Sequence, residues 1–139
     1  MAQDTLQTAS ELRLVLGQLV RRLRAEHRFP ISQGTVLGRL DREGPQSVSD
    51  LAAKERVRHQ SMAQTVGDLE SDGFVGRTPD PADRRRAVVA LTAEGRAALA
   101  EDRRHREGWL AGALDERLTA RERRVVEEAV EIMRRLADG

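Results

Sequence analysis

The chain has no cysteine and no tyrosine, and its aromatic residues are limited to Phe29, Phe74 and Trp109. Without cysteine there is no disulfide framework, no thiolate metal site and no thiol-based redox switch. No apolar run approaches the ~20 residues that cross a bilayer, and the opening MAQDTLQTAS lacks the basic and apolar regions of a secretory signal. The expectation is a cytoplasmic protein with no membrane association. A strong net charge is missing too: 24 Lys+Arg against 23 Asp+Glu leave +1. The total therefore does not announce a nucleic-acid partner, and the distribution of charge has to be read instead.

Catalytic signatures are also lacking. There is no Gly-rich phosphate loop, no nucleophile elbow and no His-Glu-x-x-His run, and the many carboxylates read as helix-face partners for arginines. The reading is that the protein is not an enzyme. His27, His59 and His105 lie far apart, none at the short spacing of a metal site, so neither a metal nor a cofactor is expected, with a zinc site shared between two copies of the chain as the alternative.

What remains is a chain of 139 residues, 39% hydrophobic and 34% charged, rich in residues that tolerate helix. That length fits one domain burying about two-thirds of its unfolded surface. Leu12, Val15, Leu16, Leu19, Val20 and Leu23 form the stripe of a first amphipathic helix, which should end before Pro30. A shorter helix is predicted from Ser32 to a stop at Gly44 and Pro45. A third opens at Ser47, with Asp50 at capping-box spacing. The fourth carries Met62, Thr65, Val66 and Leu69 on one side, Gln60, Ser61, Gln64 and Asp68 on the other, and ends at Gly73.

The period then changes. FVGRT and AVVAL have strand character and flank the loop at residues 79–86, predicting a hairpin without a tight Asn-Gly turn. Thr92 suits the cap of a further helix running through Trp109 to Leu114, and Thr119 with Glu122 is a capping box for the last one. The fold class is mainly α with a small β-hairpin.

Helix, tight connection, helix and hairpin are the parts of a winged helix-turn-helix, whose second helix lies in the DNA major groove. Gln60, Ser61 and Gln64 have the donors and acceptors to read base edges, and the helix start near Arg58 and His59 suits a phosphate. Arg84, Arg85 and Arg86 at the hairpin tip suit phosphates or a minor groove. Singly, each feature fits a solvated helix face or an ordinary turn neighboured by Asp80 and Asp83; their order along the chain favours DNA. The first and last two helices are amphipathic beyond what one small lobe can bury, which points to a second copy of the chain, with an intramolecular bundle as the alternative. A helical protein-interaction adaptor without DNA binding is the competing function, but it leaves the wing unexplained.

From SVSDLA through DLESDGFVGRTPDPADRRRAVVALTAEG the sequence resembles the MarR-type (multiple antibiotic resistance regulator) transcription factors, and the likeness extends over nearly the whole chain. Asp83, Arg85, Leu91, Thr92 and Gly95 match that family's wing and following helix start. The resemblance implies a winged helix-turn-helix lobe at residues 31–91 and dimerisation helices at 1–30 and 92–139, within one domain. It implies a homodimer gripping a pseudo-palindromic double-stranded operator and acting as a repressor released by a small aromatic or anionic effector. It places Arg58, His59, Gln60, Ser61, Gln64 and Thr65 on the recognition helix and Arg84, Arg85 and Arg86 on the wing, with Asp83 orienting Arg85. Base preferences do not carry over, because recognition helices vary within the family. Effector residues stay unassigned: Arg13, Arg24, Arg28 and Trp109 fit a cleft lining and ordinary surface roles equally well.

Overall fold

The computed structural model describes residues 2–139. Helix α1 (Gln3–Ala25) leads into α2 (Ile31–Glu43), α3 (Val48–Glu55) and α4 (His59–Ser71). Strands β1 (Val75–Pro79) and β2 (Ala87–Leu91) follow, then α5 (Ala93–Arg117) and α6 (Ala120–Ala137). The two strands pair antiparallel, Val75 against Leu91 through Pro79 against Ala87. Gln46, just ahead of α3, adds a single bridge to Val89 on the free side of β2.

Local chemistry fixes the boundaries. Helix α2 starts at Ile31, one residue earlier than the Ser32 start read from the sequence, because the extended backbone and fixed φ of Pro30 suit the entry to a helix. Gly44 ends α2 at φ +85, where any other residue would be strained. Ser47 and Asp50 close a reciprocal capping box on α3, and Thr119 and Glu122 do the same on α6. Thr92 caps α5 by accepting the Gly95 N–H at 3.0 Å. Helix α1 begins nine residues before the stripe that predicts it, since its polar first turns carry only Leu6 as a large apolar residue.

Burial divides the molecule in two. The core comprises Val36, Leu37 and Leu40 of α2, Val48, Leu51 and Ala52 of α3, Met62, Val66 and Leu69 of α4, Val75 and Val89 of the hairpin, and Leu99 of α5. Each large aliphatic side chain buried there contributes about 1.5–3 kcal/mol. Phe29 and Phe74 meet edge to face at 5.6 Å between ring centroids, fastening the approach to α2 onto the root of the wing. Helices α1 and α6 have no buried residue at all. Their stripes face outward: Leu16, Leu19 and Val20 on α1, and Val125, Ile132 and Leu136 on α6, are all more than two-fifths exposed.

What joins α1 to the rest is polar. Asp102 of α5 is completely buried, and its Oδ1 accepts the Arg28 backbone N–H at 2.8 Å. Its Oδ2 lies 2.7 Å from His27 Nδ1 and 3.3 Å from Arg106 Nε. Neither nitrogen meets hydrogen-bond geometry with that oxygen, so these are close electrostatic contacts and not directed bonds. His105 adds a second tie, 3.3 Å from Glu26, and the Arg22 guanidinium sits 4.9 Å from the centre of the Trp109 ring.

Candidate nucleic-acid interface

Helix α4 packs through Met62, Val66 and Leu69 and turns the opposite face to solvent. Arg58, His59, Gln60, Ser61 and Gln64 are exposed on that outward side, while Thr65 is half-buried with its hydroxyl donating to the Ser61 carbonyl at 3.2 Å. The Gln64 amide donates to Asp68 at 3.1 Å, which holds it along the helix surface. Arg58 stands at the N-cap without a capping side-chain bond, and the first turn holds no acidic residue. The leading amides of α4 and their positive dipole are thus left to solvent or to an anion.

The wing loop owes its shape to its two aspartates. Asp80 accepts the Ala82 N–H at 2.9 Å and Asp83 accepts the Arg85 N–H at 3.1 Å, each bending the chain two residues on. The Asp80 N–H donates to the Arg86 carbonyl at 2.8 Å and the Arg86 N–H to the Asp83 carbonyl at 3.0 Å, closing the loop. Arg84 is exposed, and the Arg85 side chain is 96% exposed with its Nε 3.8 Å from Asp83.

Arg86 differs from its two neighbours. Its guanidinium turns back from the tip, Nη2 donating to Ser47 Oγ at 2.8 Å and lying 3.5 Å from Asp50 Oδ2. The sequence reading placed all three arginines at the tip, and nothing local in the chain marks a partner 39 positions away. Two further features escaped it. Arg77 of β1 reaches Glu70 of α4 at 3.4 Å, an ion pair between the wing and α4. Arg56, in the turn between α3 and α4, adopts the left-handed conformation at φ 56, a position glycine or asparagine fills more easily.

Behind this face lies a cavity of about 270 Å³ between α1, α2 and α5. Arg24, Arg42, Arg103, Arg106 and His27 are on its walls. Arg103 is paired with Asp41 at 2.8 Å and Arg106 faces Asp102 at 3.3 Å, so Arg24 and Arg42 are the guanidiniums that leave the lining cationic. Of the residues weighed from sequence for a cleft, Arg24 lines it; Arg28 instead points to Glu101 at 3.9 Å, and Trp109 stacks with Arg22.

Comparison with known proteins agrees with this geometry. A sequence model of the MarR family matches residues 29–87. An HTH-type transcriptional regulator of Mycobacterium bovis is 34% identical over 99% of this chain and 98% of its own. The crystal structure of a transcriptional regulator protein from Pseudomonas aeruginosa PA01 superimposes with a TM-score of 0.84 at 37% identity, covering 100% of this chain and 99% of the other. Wild-type MarR from E. coli in its apo form shares the fold, with a TM-score of 0.65 at 21% identity over 96% and 97% of the two chains.

The three-helix lobe with its hairpin wing and the transcriptional regulators it matches over its whole length make the protein a winged helix-turn-helix DNA-binding transcriptional regulator and not an enzyme. Within that class the chain belongs to the MarR family.

Proposed function

We propose that the protein is a homodimeric repressor that reads a pseudo-palindromic operator through α4 and grips its flanks with the wings. The observation that carries this reading is the exposed row Gln60, Ser61 and Gln64 on a helix whose uncapped N-terminus is flanked by Arg58 and His59. These side chains supply base-edge donors and acceptors, and Arg58, Arg84 and Arg85 supply phosphate or minor-groove charge. Two-fold symmetry is supported by the outward apolar stripes of α1 and α6, which one chain leaves in water. Residues 31–91 then form the DNA-reading lobe, with 1–30 and 92–139 as the dimerisation helices.

The cationic cavity supports a small anionic effector, aromatic or otherwise. An occupant neutralising Arg24 and Arg42 touches α1 and α2 and borders α5, so it bears on how the lobe sits against the dimerisation helices. It releases DNA to the extent that it prefers one lobe separation over the other. A protein acting on operators in this way works in the cytoplasm.

The test is a mobility-shift assay with the DNA upstream of the protein's own gene, followed by footprinting. The expected result is protection of two half-sites centred about 10 bp apart. Protection of one isolated half-site rejects the symmetric docking, and no shift at moderate salt together with co-purification of another protein favours the adaptor role.

A further inference from the structure

We propose that Arg86 is a positioning residue that latches the wing onto the first helix of the helix-turn-helix and takes no part in neutralising DNA phosphates. The inference rests on the DNA-binding reading above but separates one wing arginine from the other two.

The geometry is built around a small, nearly enclosed group. Ser47 is 6% exposed. Its Oγ accepts the Asp50 N–H at 3.1 Å as the cap of α3, and it accepts Arg86 Nη2 at 2.8 Å as well. Asp50 returns the cap by accepting the Ser47 N–H at 3.3 Å, and the same Oδ2 faces Arg86 at 3.5 Å. A cation beside the N-terminus of a helix opposes the helix dipole. Asp50 offsets that repulsion, so the guanidinium is held by a hydroxyl and a carboxylate that already belong to the cap.

The main chain of Arg86 closes the wing loop at the same time, through Asp83 and Asp80. A second attachment lies beside it, where Gln46 and Val89 exchange backbone hydrogen bonds of 3.1 and 2.8 Å. The wing is therefore fixed to residues 46–47 at two points, one backbone and one side chain. Arg84 and Arg85 make no comparable reach across the fold: among the described residues the one carboxylate near Arg85 is Asp83, inside the same loop. A recognition helix and a wing that engage different grooves of one duplex need a fixed mutual angle. Setting it before binding reduces the ordering cost at the moment of contact.

The experiment compares wild-type protein with Arg85→Ala, Arg86→Ala, Asp50→Asn and the Asp50→Asn/Arg86→Ala double variant. In the free protein, amide hydrogen exchange across residues 79–91 is expected to accelerate roughly fivefold in Arg86→Ala. It should also rise in Asp50→Asn, no further in the double variant than in the stronger single one, and not at all in Arg85→Ala. On operator DNA, Arg86→Ala should weaken binding while the slope of log affinity against log salt keeps its wild-type value. Arg85→Ala should lower that slope by ~0.9, the mark of one lost phosphate contact. A slope loss of that size in Arg86→Ala, or wing exchange that Arg86→Ala leaves unchanged, overturns the latch. If the wild-type protein fails to bind duplex at all, the DNA reading falls, and the exchange measurement still decides the latch.

Discussion

The carboxylate of Asp102, fully buried on α5, lies 2.7 Å from Nδ1 of His27 at the end of α1. With the Arg28 backbone N–H bonded to it and Arg106 beside it, this one side chain ties the segment that follows α1 to α5. Asp102→Ala leaves the Arg28 backbone N–H without its acceptor and takes the neighbouring carboxylate away from His27 and Arg106. His27 and Arg106 keep some access to water, at 20% and 27% side-chain exposure, so the loss is expected at about 1–3 kcal/mol and not at the full cost of a stranded buried charge. Asp102→Asn should lose less, since an amide oxygen can still accept from Arg28. Urea unfolding at fixed protein concentration measures both; an unchanged midpoint for the alanine variant removes Asp102 from the structural account.

Gly95 is a second junction of this kind. A Cβ placed there comes within 1.9 Å of the Phe74 carbonyl oxygen, the same oxygen that accepts the Thr92 N–H at 3.1 Å. Alanine is worth ~1 kcal/mol over glycine inside a helix. A backbone clash of that depth outweighs the gain, and Gly95→Ala should destabilise by about 1–3 kcal/mol. Gly67, with open space where its Cβ would go, should show the opposite sign. Parallel melts of the two variants settle the point, and a stabilised Gly95→Ala contradicts the packing of α5 against the wing root.

Sequence legibility follows the range of the interaction. The three lobe helices and the hairpin follow from stripes, caps and a change of period, all of which act over a few residues; Ser47 with Asp50 and Thr119 with Glu122 formed the caps their spacing implies. The exposed positions on α4 followed from the same periodicity. Partners distant in sequence were not legible. Arg86 belongs to a run of three arginines that are chemically identical until the fold brings Ser47 to one of them. Asp102 read as one more carboxylate on an arginine-rich helix, though it is completely buried, because its burial comes from the docking of α1. Arg42, Arg103 and Arg106, from two different helices, converge on the cavity only in three dimensions.

Acid should weaken the protein through its caps. The Thr119 backbone N–H, then the Thr119 hydroxyl, hold the Glu122 carboxyl below its ordinary value of 4.5. The Ser47 hydroxyl and backbone N–H hold Asp50 below 3.8. A carboxylate whose folded value is depressed contributes stability that is complete above its unfolded value and disappears as pH falls through the folded one. Melting temperature should accordingly be flat above about pH 5 and decline below about pH 4. Thermal melts of Glu122→Gln should decline less steeply over that acid range; curves parallel to wild type show that the cap carries no such linkage.

The outward stripes of α1 and α6 make their own prediction. Leu19 is 44% exposed and Ile132 51% exposed on helices that bury nothing within the chain. Leu19→Glu with Ile132→Glu should leave the lobe folded, because neither residue belongs to its core, yet convert a dimer to monomer in sedimentation velocity. Loss of the second lobe should reduce operator affinity about 100-fold or more, since the second contact is no longer held at high local concentration. A variant that stays dimeric places the interface elsewhere.

Gln64 and Arg85 separate reading from gripping. The Gln64 amide rests on Asp68 at 3.1 Å, and in the proposed docking it trades that bond for one to a base edge, so its contribution there depends on which base is present. Gln64→Ala is expected to change preference at one base step by about 1–3 kcal/mol while leaving affinity for random duplex nearly intact. Arg85, almost wholly exposed and near Asp83 alone among the carboxylates of the described residues, meets in the proposed docking charge that every sequence carries alike. Arg85→Ala should therefore weaken specific and random duplexes by similar factors and flatten the salt dependence of both. Competition binding against a library of operator variants at two salt concentrations distinguishes these cases. Equal losses on specific and random DNA for Gln64→Ala remove it from base readout, and altered base preference for Arg85→Ala means that the wing tip reads groove shape in addition to charge.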